Sequence, residues 1–184
     1  MSALSPSSLP LAEHSFADVL TRVSSTNPSP GGGAVGALVV ALGIACGLKA
    51  VRISRRHNAA SKPLAEAEVL LVQLSTAVQP LADADGEAFE NLLAAYKLPK
   101  FANDEMVARR GAISHAAARA AAVGQEINTA AKAASTALAL AKPDISANII
   151  SDYDAAMTLL QANKSIQDEN IEVNSEIAGK FGAK

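Results

Sequence analysis

Asn27-Pro28-Ser29-Pro30-Gly31-Gly32-Gly33 runs directly into Ala34-Val35-Gly36-Ala37-Leu38-Val39-Val40-Ala41-Leu42-Gly43-Ile44-Ala45-Cys46-Gly47-Leu48. Eighteen residues from Gly31 to Leu48 carry no charge. That length touches the lower limit for a membrane span, but six of the eighteen are glycine and no second apolar segment could pair with it. The run therefore reads as a buried central helix around which others pack. Ser29 is the expected N-cap and Pro30 the first helical residue. Three glycines in a first turn each lower helix propensity by roughly 1 kcal/mol relative to alanine. They make sense where another group approaches bare backbone, because the unpaired N–H groups and dipole of a helix start form an anion site. A turn ahead of a tightly packed helix would use glycines in the same place.

The rest of the chain agrees with a helical core. Of its 184 residues 49% are hydrophobic but only 3% aromatic, so the apolar content is mostly Ala, Leu, Val and Ile. Small side chains suit closely packed helices, and strand-like aromatic or β-branched runs are missing. A net charge of −2 gives no basic footprint for nucleic acid. The single cysteine, Cys46, excludes an internal disulfide and fits a reducing compartment. No basic-then-apolar leader opens the chain, so the cytoplasm is the expected location and no membrane partner is expected.

Residues 1–14 read as a mobile Ser/Pro-rich segment, and 15–184 as one helical domain. A short helix is predicted over Ser15 to Ser24, with Phe16, Val19, Leu20 and Val23 at helical spacing. A second runs from Pro30 to about Ser54. A third starts near Ser61 and ends before Pro99, kinked or divided at Pro80. A fourth covers Asn103 to Ala141 and is stopped by Lys142-Pro143. Fourteen of the thirty residues Ala112 to Ala141 are alanine, which lets neighbours come close. A fifth starts near Ser151 and continues towards Ile177. The predicted fold is all-α, an up-and-down bundle of about five long helices.

Asp83-Ala84-Asp85-Gly86-Glu87-Ala88-Phe89 lies on the third predicted helix. Asp85, Phe89, Leu92 and Tyr96 share one face, whereas Asp83, Glu87 and Glu90 point to another that reads as solvated. Asp85 is thus a carboxylate in an apolar stripe. Burial would raise its pKa, as suits a general acid–base group, although a buried aspartate satisfied by a neighbouring helix has the same pattern. Lys100 follows Leu98-Pro99 on a loop, fit for the helix dipole or for an anionic ligand. Asn148, Ser151 and Asp152 surround a helix start; Asn163, Asn170 and Asn174 repeat on one face, where they could bond a polar heterocycle or one another. His14, His57 and His115 have no metal-ligand spacing, and the glycine triplet lacks the Lys-Ser/Thr of a nucleotide loop.

Together these segments resemble the cyclodeaminase/cyclohydrolase family of folate enzymes. The resemblance rests on Pro28-Ser29-Pro30-Gly31-Gly32-Gly33, Asp83 to Phe89, Ala94-Ala95-Tyr96-Lys97-Leu98-Pro99-Lys100, Asn148-Ile149-Ile150-Ser151-Asp152 and Asn170-Ile171-Glu172-Val173-Asn174. It implies an all-helical homodimer acting on a folate, with no metal and no cofactor beyond the tetrahydrofolate substrate. The first implied activity is methenyltetrahydrofolate cyclohydrolase, which adds water to 5,10-methenyltetrahydrofolate and yields 10-formyltetrahydrofolate. The second is formiminotetrahydrofolate cyclodeaminase, which closes the same ring and expels ammonia. On this resemblance Asp85 shuttles the proton and Asp152 is the second carboxylate. Lys100 and the Gly31, Gly32 and Gly33 amides hold the folate tail; Tyr96, Asn148 and Asn170 complete the binding set. Departures from the family pattern are Arg52-Ile53-Ser54, Ile145-Ser146, Gly124 and the short stretch after Asn174. Arg52, Ile145 and the short C-terminal stretch point to an alternative of another class, a non-catalytic helical relative that binds a small molecule or a protein.

Overall fold

The computed structural model describes residues 9–182, and among them no strand occurs. A short helix α1 (Phe16–Val23) precedes five long ones: α2 (Gly32–His57), α3 (Lys62–Val78), α4 (Leu81–Tyr96), α5 (Asn103–Ala141) and α6 (Ile150–Gly182). Local chemistry sets most of these boundaries. Ser15 and Ser61 cap α1 and α3, accepting from Asp18 N and Leu64 N. Glu105 reaches back to the amides of Phe101 and Ala102 at the start of α5. Pro80 divides the predicted third helix into α3 and α4. These two scarcely touch, while each packs on both α2 and α5, so they run on as one broken rod.

α2 is the centre of the bundle and packs on α3, α4, α5 and α6. It is long and apolar enough to cross a membrane by length and composition. Here Val40, Ile44, Ala50 and Val51 are instead buried against other helices of the same chain. The main core joins them to Leu64, Leu71, Val78, Ile127, Leu138 and Leu160. A smaller cluster of Leu92, Ala95, Ile113, Ala116 and Ala117 lies under the end of α4.

The glycines of α2 explain how its neighbours come so near. A Cβ on Gly43 would stand 3.0 Å from Leu160 Cγ, and one on Gly47 would stand 2.8 Å from Leu138 Cδ1. A Cβ on Gly36 would meet Gln167 and Asn163 of α6. The three positions therefore serve packing within the chain and leave the expected homodimer resting on the resemblance alone.

Local differences from the sequence reading are instructive. α2 starts two residues later than expected, with Gly31 as N-cap and no side-chain cap of its own. On α1 only Val19 is buried, and Phe16 and Leu20 are 73% and 54% exposed. Of the N-terminal segment, residues 1–8 lie outside the described residues, while Leu11 is buried and donates to Asp83 Oδ1 at 2.9 Å. Asp83 is therefore a tether for that segment, not part of a solvated face.

Candidate functional site

The start of α2 lacks a cap from its own chain neighbourhood, and the missing acceptor comes from α4. The Ala34 amide, third in the helix, donates to the Asp85 carboxylate. This is the bond that an N-cap side chain ordinarily supplies to the second or third amide. The approach is possible only because residue 33 is glycine: a Cβ there would stand 2.0 Å from Asp85 Oδ1. Gly31 and Gly32 meet nothing closer than 3.7 Å, so of the triplet only Gly33 is sterically required. The adjoining Gly86 leaves room for Ser29, whose Oγ would lie 2.6 Å from a Cβ at that position. Ser29 thus packs on α4 and does not cap α2.

Asp85 forms part of the wall of a cavity of about 400 Å³ between the start of α2, the face of α4 and the C-terminal half of α6. That volume lies within the usual range for small-molecule sites, roughly 300–1,000 Å³. Phe89, Leu92, Tyr96 and Ala120 supply apolar wall; Asn170, Asn174 and Glu169 line the α6 side. No Lys, Arg or His is among these lining residues. Burial pushes the Asp85 carboxyl above its ordinary range, and the Ala34 N–H, which favours the charged form, holds part of that rise back. The result is a carboxyl group that takes up a proton more readily than a solvated aspartate does, as a general acid–base group must.

The remaining walls are held firmly. Tyr96 meets Phe181 edge to face at 6.0 Å, with the Arg109 guanidinium 5.9 Å from its ring centre. Arg109 also donates to Tyr96 O at 3.1 Å. Asn170 and Asn174 donate to the carbonyls of Ile166 and Asn170 one turn back.

Gly31, Gly32, Gly33, Asp85, Tyr96 and Asn170 are thus brought together around one cavity. Asp152, Asn148 and Lys100 are not. Asp152 lies at the start of α6, about 27 Å along the helix from Asn170, and pairs with Lys49 of α2 at 2.6 Å. Asn148 is exposed in the turn before α6, at that same far end. Lys100 is exposed on the α4–α5 loop, four residues past Tyr96 and outside the cavity lining. Of the departures, Arg52 is about 28 Å along α2 from Gly33 and bonds Glu68 of α3 at 2.9 Å; Ile145 packs on the main core. Neither touches the cavity.

Gln167 was missed by the sequence reading. It is fully buried on α6, and its Nε2 donates to Gly33 O at 2.9 Å. The signal was present, since Asn163, Gln167, Asn170 and Asn174 follow one another at helical spacing.

Among the described residues the chain is an all-helical bundle with a desolvated carboxyl, Asp85, on the wall of a ligand-sized cavity at a helix start. The family described as formiminotransferase-cyclodeaminase matches residues 15–178, and the chain belongs to it. No curated protein sequence matches the chain. Among solved structures, the fold is similar to formiminotetrahydrofolate cyclodeaminase from Thermotoga maritima. That similarity has a TM-score of 0.76 at 24% identity and covers 92% of this chain and 83% of the other.

Proposed function

We propose that the cavity binds a tetrahydrofolate carrying a one-carbon unit, and that Asp85 moves the proton as a bond between that carbon and a ring nitrogen is made or broken. The observation that carries the reading is the placement of Asp85: desolvated, held by one backbone amide, and on the wall of a cavity whose lining has no cation. In 5,10-methenyltetrahydrofolate the reacting carbon sits in an amidinium cation. Asp85 and Glu169 give the cavity the complementary charge.

For hydrolysis, the Asp85 carboxylate takes a proton from water as its oxygen bonds to the methenyl carbon. The tetrahedral carbon then expels N5, which receives that proton, and the formyl oxygen releases its own proton to solvent. The balance is one water consumed and one proton released, with no cofactor beyond the folate substrate. The folate tail is assigned to Lys100, with Lys97 beside it, where the chain passes beyond Tyr96, and to the Gly31, Gly32 and Gly33 amides at the start of α2. Cyclodeamination of 5-formiminotetrahydrofolate is the second reading, favoured by the name of the matching family. It passes through the same kind of tetrahedral carbon, with ammonia leaving.

The test follows the near-ultraviolet absorbance of methenyltetrahydrofolate and, separately, ammonia release from 5-formiminotetrahydrofolate. Wild-type protein is expected to accelerate one of them. Asp85→Asn is expected to lower kcat about a hundredfold or more while moving KM little. Folate binding without turnover on either substrate would instead select the non-catalytic relative.

A further inference from the structure

Gln167 is a costly residue for its position. Its side chain is fully buried, and its Oε1 has no partner among the described protein atoms. An unpaired buried amide oxygen is destabilising, and an apolar side chain of the same length would fill the space without that penalty. What Gln167 does make is the 2.9 Å bond from Nε2 to Gly33 O. Gly33 C=O and Ala34 N–H are the two poles of one peptide group, and the second pole donates to Asp85. That peptide is therefore gripped from both sides, by an amide donor at its oxygen and by a carboxylate at its N–H. Hydrogen bonds in such a chain polarise one another, so the Gln167 donor makes the Ala34 N–H a stronger donor to Asp85.

The packing is cut to allow this. A Cβ on Gly36 would stand 2.4 Å from Gln167 Nε2, and one on Gly33 would collide with Asp85. One glycine admits the amide to the peptide oxygen, and another admits the carboxylate to the neighbouring N–H. We propose that Gln167 is a positioning residue for the reaction, fixing and polarising the Gly33–Ala34 peptide and through it setting the proton affinity of Asp85, with Gly36 as the opening that admits it. This rests on the proton-transfer role given to Asp85 above. The titratable groups facing Asp85 are few. Glu169 of α6 and Tyr96 of α4 line its cavity, the α2 start, Pro28, Ser29 and Ala120 offer none, and Asp83, Glu87 and Glu90 leave α4 on other faces.

The experiment titrates the 13C-labelled Asp85 carboxyl by NMR, assigned by its loss in Asp85→Asn. Gln167→Met keeps the length and removes the donor, and Gly36→Ala pushes the amide away. Both are expected to raise the Asp85 midpoint by about half a unit to one unit. The acid limb of the kcat/KM profile should move up by the same amount. An unshifted midpoint in folded Gln167→Met overturns the proposal. Should both variants fail to fold, the wild-type protein decides. There the Gln167 Nε2 protons and the Ala34 amide proton must shift at the Asp85 midpoint, and a Gln167 signal indifferent to it overturns the proposal equally. A protein inactive on both folates but showing the midpoint shift refutes the folate reading while leaving the Gln167–Asp85 linkage standing.

Discussion

The two ends of α2 treat carboxylates in opposite ways. At the N-terminal end Asp85 meets a backbone amide inside an apolar cavity, and burial drives its carboxyl upward. At the C-terminal end Glu68 accepts from Arg55 and Arg52 of α2, at 2.5 and 2.9 Å, and those bonds hold it below the usual carboxylate range. Asp152, near the same end, is paired with Lys49. At that end the paired carboxylates join helices, and the arginines hold Glu68 in its charged form. An unpaired carboxylate in a cavity is left able to gain and lose a proton. The acidic residues that a sequence motif groups together are divided by this contrast into a chemical end and a structural end.

Gly33→Ala attacks the contrast most directly. The new Cβ would overlap the Asp85 carboxyl, which must leave the Ala34 amide. Alanine returns about 1 kcal/mol of helix propensity, and the lost cap costs about the same. Thermal stability is therefore expected to change little while kcat on methenyltetrahydrofolate falls about a hundredfold or more. Activity retained alongside an unchanged melting temperature would show that the capped geometry is not what the chemistry needs.

Asp85→Asn sharpens the same point through stability. A raised folded-state pKa means that, between the unfolded and folded values, the native protein binds more protons than the unfolded chain. Its stability then falls as pH rises through that window. Wild type is therefore expected to be less stable than Asp85→Asn at pH 7. Urea titrations should show that difference shrinking on acidification and closing below about pH 4, where the unfolded carboxyl is itself protonated. A variant that is less stable at pH 7 would mean that the Ala34 bond outweighs burial.

How much of this was readable in the chain depends on the range of the interaction. α5 was legible from end to end because its stop, Lys142-Pro143, is local. The face carrying Asp85, Phe89, Leu92 and Tyr96 was legible because helical spacing is local too. The true cap of α2 was not, because it arrives from Asp85, far along the chain, and the nearby Ser29 offered a conventional substitute. Asp152, Asn148 and Lys100 were joined to Asp85 by a family motif, and a motif carries no distance between segments. The exposure of Phe16 and Leu20 was equally hidden: periodicity fixes a face but not whether a neighbour covers it.

Glu68→Gln is the smallest and the mirror of the Asp85 experiment. A lowered folded-state pKa contributes stability that is present above the unfolded value and lost as pH falls through the folded one. The variant should therefore be less stable than wild type at pH 7, and the gap should close on acidification, as for Asp85→Asn but from the other side. The expected loss is about 1 kcal/mol or less, because Arg52 and Arg55 are partly in solvent and water screens the pair. Salt should shrink it further, whereas the Asp85 effect, arising from burial, should respond weakly. If raised ionic strength moved both differences equally, Asp85 would have to be reclassified as a screened surface charge, and the division between the two ends of α2 would fall with it.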